Sequence, residues 1–178
     1  MSQVIDRIRR QLAEAEGYLT LNLPERALEI LQARDDWATM QFEASFLTGE
    51  ALRALDRFRE ALKPLETASA LRPGDRALAI ALGWCYKRTH RLAQAIDCLA
   101  RALRDHPNDP LLHYNLACYW SLANNPAKAL VSLASALRIE PEIHGMIAGE
   151  ADFDPIRADP GFVRLVGVEA GPAEGDAA

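Results

Sequence analysis

The chain has 178 residues with a formal net charge of −5, and 49% of its residues are hydrophobic. This acidic balance argues against general nucleic-acid binding, which requires many phosphate-neutralising Lys and Arg side chains. No apolar run approaches the roughly 20 residues that span a bilayer, and the N-terminus lacks the apolar core of a secretory signal. The three cysteines have no pairing pattern, which predicts free thiols in a reducing, cytoplasmic environment.

A spacing of 34 residues organises the chain and predicts a stacked-repeat architecture. Four alanines follow one another at this interval: Ala27, Ala61, Ala95 and Ala129. Three further columns keep the same interval: Leu31, Leu65, Leu99 and Leu133; Tyr18, Leu52, Tyr86 and Trp120; and Ala15, Gly49, Gly83 and Ala117. Small residues let two helices approach closely, so we expect Gly49 and Gly83 to have a packing reason.

The spacing divides the chain into consecutive units of two amphipathic helices each. The first, residues 8–41, is divergent, and the next three, residues 42–75, 76–109 and 110–143, are clear. Each clear unit closes on a proline: Pro73, Pro107 and Pro141.

The last clear unit shows the helix boundaries best. We expect a first helix over residues 109–123, capped by Asp109, and a second over 125–139, capped by Asn125. Pro141 then disfavours helix continuation.

We expect residues 141–166 to form a capping segment that completes a single domain over residues 1–166. A helix over about 141–150 is expected to cover the last unit. Two Asp-Pro pairs, at 154–155 and 159–160, each predict a helix start. The expected anchors are apolar: Phe153, Ile156, Phe162, Val163 and Leu165. A plain hydrophobic cap and a second docking site both fit this segment, and residues 167–178 predict a disordered tail.

The repeat resembles the tetratricopeptide signature, W-x2-L-G-x2-Y, then A-x3-F, then P. Residues 82–86 (Leu-Gly-Trp-Cys-Tyr), then Ala95 to Leu99, then Pro107 carry the likeness, which extends over residues 8–143. The resemblance implies an all-α, right-handed solenoid of stacked antiparallel helix pairs, a superhelix with C-terminal capping helices. Residues 152–162 look like a segment often found at the ends of bacterial tetratricopeptide proteins.

The sequence predicts no enzyme, no metal site and no cofactor. No His pair has metal-ligand spacing, and neither C-x-x-C nor H-E-x-x-H occurs. A thiol enzyme would rest on Cys118 and His113 alone, and these lie roughly 140° apart around one helix.

The resemblance implies a concave groove lined by the first helix of each pair, where family members bind peptides or short helices. Aligning the repeats places in this groove Phe46, Glu50, Arg53, Ile80, Trp84, Lys87, Arg88, Tyr114, Asn115 and Cys118. Phe46, Ile80, Trp84 and Tyr114 predict an apolar strip of the kind that marks binding sites. The flanking cations, Arg53, Lys87 and Arg88, favour a partner segment with apolar anchors and some acidic residues.

Two arrangements and two functions remain open at this point. Either the groove takes a segment of another protein, or the chain's own terminal segment covers the strip. The function predicted is a non-catalytic protein–protein interaction module or adaptor. The alternative is an export or assembly chaperone like those of type III secretion, which hold a client segment. Homo-oligomerisation through helix faces at the ends of the stack is also open.

Overall fold

The computed structural model describes residues 2–34 and 36–167, and the chain divides into two compact units, residues 1–106 and 107–178. Within the described ranges all regular structure is helical, with no strand. Unit 1 contains α1 (Ser2–Thr20), α2 (Pro24–Gln32), α3 (Gln41–Ala54), α4 (Phe58–Leu71), α5 (Arg76–Arg88) and α6 (Leu92–Asp105). Unit 2 contains α7 (Pro110–Leu122), α8 (Pro126–Ile139), α9 (His144–Ile147) and α10 (Pro160–Gly167). That the two units act as one domain stays a prediction.

The helices of unit 1 pack as three consecutive pairs, and α3 also contacts both α1 and α5. The alanines at the 34-residue interval lie inside these pairs, where Ala27, Ala61 and Ala95 are completely buried. Gly49 is also buried, and a Cβ there would lie less than 3.0 Å from the side chain of Leu65. The packing reason predicted for this glycine is therefore confirmed, because only a residue without a side chain permits that approach.

The turn inside each pair has the same backbone conformation in every repeat. Its residue is left-handed, with φ of 57° at Asn22, 56° at Asp56, 62° at His90 and 54° at Asn124. The following N–H returns to a carbonyl in the preceding helix, as from Arg91 N to Tyr86 O at 2.8 Å. This is the helix-ending arrangement that usually requires glycine. Asn, Asp and His tolerate it better than most other residues.

Unit 2 begins with the α7–α8 pair at the predicted positions. Asp109 Oδ1 accepts from Leu112 N at 2.8 Å, and Asn125 Oδ1 accepts from Lys128 N at 3.1 Å. Both predicted caps are therefore confirmed. Ala129, the fourth alanine of the column, is completely buried.

The helix predicted over residues 141–150 is wrong in extent. A 3-10 turn, Pro141–Ile143, leads into α9, which ends at Ile147. Gly149, two residues beyond Ile147, favours this early end, because glycine disfavours helix by about 1 kcal/mol relative to alanine.

The segment after α9 folds back onto the α7–α8 pair. A 3-10 helix, Ala151–Ile156, packs on α7 and is called here the Phe153 segment, and α10 packs on α8. His144 Nε2 lies 2.8 Å from Val166 O and ties α9 to the end of α10. Phe153, Ile156 and Phe162 are buried as predicted, whereas Val163 is 56% exposed.

The two Asp-Pro pairs behave differently. Asp159 caps α10, because its Oδ1 accepts from Gly161 N at 2.7 Å and from Phe162 N at 3.1 Å. Asp154 starts no helix: it lies within the Phe153 segment and binds Arg157 Nε at 2.6 Å. The tail predicted from Gly167 is corrected by one residue, since Gly167 ends α10, and its remaining residues lie outside the described ranges.

Candidate peptide-binding surface

The first helices of unit 1 form an open pocket between α1 and α3. Phe42 and Phe46 lie one turn apart on α3, with ring centroids 6.1 Å apart and planes within 9°. The guanidinium of Arg72 covers the other end of this stack, 3.8 Å from the Phe42 centroid, and pairs with Glu43. The α1–α3 pocket has a volume of about 340 Å³ and is lined by Arg9, Leu12, Ala13, Glu16, Met40, Phe42, Glu43, Phe46 and Leu47.

A second, smaller pocket lies between α3 and α5. It has a volume of about 120 Å³ and is lined by Glu50, Arg53, Ala77, Ile80, Ala81 and Trp84. Trp84 is 37% exposed, which is unusual for so large an apolar side chain. The Lys87 ammonium lies 4.4 Å from its ring centroid, within cation–π range. Unit 1 therefore brings together six of the predicted residues: Phe46, Glu50, Arg53, Ile80, Trp84 and Lys87.

The surface carries less positive charge than predicted, because Arg53 is paired with Glu50 and Arg88 lies elsewhere. Arg53 binds Glu50 through two hydrogen bonds of 2.8 Å and 2.9 Å, which raise the pKa of Arg53 against the opposing effect of burial. Its charge is therefore largely compensated within the protein. Arg88 instead stacks 4.8 Å from the Phe58 centroid and lines a separate cavity, so it does not flank Trp84.

In unit 2 the chain itself covers the corresponding residues. Tyr114 is only 3% exposed, and its ring meets that of Phe153 edge-on at 5.7 Å. Its hydroxyl lies 3.5 Å from Met146 O, and burial raises its pKa. Cys118 is 2% exposed, and Asn115 Nδ2 donates to Leu111 O in its own helix at 2.9 Å. Tyr114 and Cys118 are therefore covered by the chain itself, and Asn115 is half-buried with its amide bonded within its own helix, so we leave these three residues out of the proposed surface.

The same fold-back brings Cys118 to two carboxylates. Its Sγ and carboxylate oxygens of Glu150 and Asp152 all lie within 4.8 Å of one another. Glu150 Oε1 accepts from Asp152 N at 3.0 Å, which caps the Phe153 segment. Since that carboxylate already has a structural role, we assign no ion to the cluster. Sequence spacing could not reveal it, because residues 118 and 150 meet only through the C-terminal fold-back.

The cysteines and His113 show no catalytic grouping. Burial raises the pKa of the Cys85 thiol to about 11 and that of Cys98 to about 12. Both thiols are therefore protonated at neutral pH and poor nucleophiles. His113 Nε2 lies 2.9 Å from Pro107 O, at the start of its own helix.

A further cavity of unit 1 was not predicted. It has a volume of about 470 Å³ between the end of α4 and the helices α5 and α6, with a floor of Leu78, Ala79, Leu82 and Cys98. Its rim carries charges of both signs: Asp75, Arg101, Arg104 and Asp105. No repeated column of small or apolar residues indicates this cavity. Among the described helices, none combines the length and the apolar character needed to cross a membrane.

Comparison with known proteins agrees with this helical architecture. Residues 52–117 match the model of a tetratricopeptide repeat family, and no curated protein matches the chain. Among solved structures, a crystal structure of MamA has a TM-score of 0.70 and 20% identity, covering 79% of this chain and 85% of that chain. MamA from Desulfovibrio magneticus RS-1 has a TM-score of 0.69 and 19% identity, covering 91% and 94%.

A third structure is YrrB, a TPR protein with an unusual peptide-binding site. It has a TM-score of 0.67 and 19% identity, covering 79% of this chain and 81% of that chain. These likenesses establish the fold, so the predicted all-α class of packed helix pairs is confirmed. The match over residues 52–117 and the likeness to MamA support the tetratricopeptide resemblance.

Proposed function

We propose that this protein is a non-catalytic adaptor that binds a peptide or helix of another protein on the first-helix face of unit 1. The observation that carries the proposal is the pair of open pockets beside Phe46 and Trp84. Tetratricopeptide proteins generally act as interaction modules, and YrrB is described as having a peptide-binding site. The buried, protonated thiols favour a binding role over a catalytic one.

The surface favours a partner with apolar anchors and only a modest acidic component. Trp84 offers the type of side chain that dominates binding energy at protein interfaces. Glu50 compensates Arg53, and Lys87 lies on the Trp84 ring, whereas Arg9 lines the α1–α3 pocket. A partner segment with one or two carboxylates fits this charge pattern better than a strongly acidic one.

An export or assembly chaperone would hold its client on the same face, and no contact in the structure favours it over an adaptor. A cytoplasmic location and self-association likewise stay predictions.

A display library of short peptides, selected against the intact protein, tests the proposal. We expect selected peptides to bind wild-type protein and to lose about tenfold or more in affinity for Trp84→Ala, as is typical of a hot-spot residue. Val131→Ala is the matched control, because Val131 is 69% exposed on α8, in unit 2. Val131→Ala should keep the melting temperature of the wild type, whereas Trp84→Ala removes a partly buried side chain, so binding is measured at a temperature at which circular dichroism shows both variants to be folded.

Peptides that bind all three proteins equally would contradict the proposal, as would a failure of the library to yield any binder.

A further inference from the structure

Unit 2 shows how this chain covers the face of one of its own first helices. Phe153 is completely buried, and its ring lies edge-on to Tyr114 of α7. The Phe153 segment supplies this aromatic side chain from two turns of 3-10 helix, with Asp152 and Asp154 on either side of it in sequence. A six-residue segment with a buried aromatic side chain therefore packs on a first helix of this protein, with Phe162 of α10 against the same ring.

The 34-residue interval makes Phe46 and Ile80 the counterparts of Tyr114. Phe46 is half-buried and lines the open α1–α3 pocket. At about 340 Å³ the pocket lies at the lower end of the ~300–1,000 Å³ range of ligand sites. Its apolar lining from Leu12, Met40 and Leu47 suits an aromatic side chain, which would meet Phe46 as Phe153 meets Tyr114.

The charges at the pocket favour a carboxylate beside the aromatic residue. Arg9 lines the pocket and makes no ion pair among the described residues, whereas Glu43 is paired with Arg72. Glu16, on the same helix as Arg9, adds one opposing negative charge. The pocket therefore has a place for a single carboxylate near Arg9 and disfavours a strongly acidic segment.

We propose that the α1–α3 pocket receives an aromatic side chain and its neighbouring carboxylate from a partner protein, with Phe153 as the internal counterpart of the aromatic side chain. The inference rests on the proposed function and specifies the partner chemistry of the same surface. The inference predicts short partner segments in which an acidic residue neighbours a phenylalanine, like the six-residue Phe153 segment.

A fluorescent peptide that copies residues 151–156, titrated into the intact protein and followed by anisotropy, is the direct test. We expect saturable binding that is lost when the phenylalanine of the peptide is replaced by alanine. Ala13→Leu, which places a larger side chain in the pocket, should weaken binding by about tenfold, the effect of losing one hot-spot contact. Arg9→Gln should weaken it about two- to fivefold and reduce its salt dependence.

Two further variants complete the test. Phe46→Leu keeps an apolar side chain but removes the aromatic partner, and it should also weaken binding. Val131→Ala is the control that leaves binding unchanged. Ala13 is exposed and its replacement removes no core group, so Ala13→Leu remains informative even if Phe46→Leu unfolds the protein.

Absence of saturable binding to wild-type protein would overturn the inference, and so would binding that Ala13→Leu leaves unchanged. The proposed function would survive either result if library-selected peptides still required Trp84. If no peptide of any sequence required Trp84, the proposed function would fail as well.

Discussion

Leu65 of α4 packs directly onto Gly49 of α3, so closely that a methyl group on Gly49 could not be accommodated without movement. Leu65 is itself completely buried, which leaves it little room to withdraw. This contact joins the two helices of one pair. It also explains why a residue that disfavours helix stands inside α3.

Gly49→Ala should therefore lower the free energy of unfolding. Overpacking a core costs about 1–3 kcal/mol, and the gain in helix propensity of about 1 kcal/mol only partly offsets it. Gly17→Ala is the matched control, because no atom lies within 4 Å of a Cβ built at Gly17 of α1. Urea denaturation should show Gly17→Ala more stable than wild type and Gly49→Ala less stable. Equal stabilisation by both changes would contradict the packing argument.

The left-handed turn between α5 and α6 gives a second prediction. His90 has a φ of 62°, a conformation that costs a residue with a Cβ about 1–2 kcal/mol. His90→Gly should raise the free energy of unfolding by about 0.5–1 kcal/mol, less than the full strain because glycine gains entropy in the unfolded chain. His90→Val should lower it, since a β-branched side chain tolerates this conformation poorly. Chemical denaturation of the two variants side by side measures the difference. A valine variant as stable as the glycine variant would rule out backbone strain at this position.

The Phe153 segment should contribute much of the stability of unit 2. Phe153 is completely buried against Tyr114 and Phe162, and removal of a buried Phe side chain costs about 3–5 kcal/mol. Phe153→Ala should show this loss in thermal or urea unfolding followed by circular dichroism. Val163→Ala, at a 56% exposed position in the same C-terminal region, should change stability by no more than about 0.5 kcal/mol. A loss below about 1 kcal/mol for Phe153→Ala would mean that the segment is only loosely attached.

The raised pKa of Tyr86 predicts that the protein loses stability at alkaline pH. Burial and the 2.9 Å hydrogen bond to Glu66 raise the pKa of Tyr86 from 10.0 to about 12. The folded state therefore holds this proton more tightly than the unfolded state. Its contribution is complete below pH 10 and is lost as the pH rises to about 12. The free energy of unfolding of wild-type protein should fall more steeply over this interval than that of Tyr86→Phe. Parallel pH profiles for the two proteins would show that Tyr86 ionises as it does in the unfolded chain.

The sequence predicts best what depends on local chemistry. Caps at Asp109, Asn125 and Asp159 need only a side-chain oxygen and the next few N–H groups, so short patterns identified them, although the same Asp-Pro pattern at Asp154 starts no helix. The repeated columns of small residues located the helix pairs, because two helices can pack closely only where their side chains are small.

The orientation of long side chains could not be predicted in this way. Arg88 lies on Phe58, and Arg53 pairs with Glu50, because neighbouring helices decide where a guanidinium finds its partners. The burial of Tyr114 and Cys118 was left open because it depends on a segment that does not repeat. The left-handed turn residues also recur every 34 residues, but the sequence did not reveal them. Asn, Asp and His all tolerate this backbone conformation, yet they do not form an obvious chemical class.

These turns also limit how such a chain can change in length. An insertion between Tyr86 and Arg91 would separate the amide from the carbonyl that it satisfies, and it would rotate α6 relative to α5. Insertions and deletions should therefore be tolerated between hairpins rather than within them. Over evolutionary time, a protein built in this way should grow or shrink by whole hairpins, each 34 residues long.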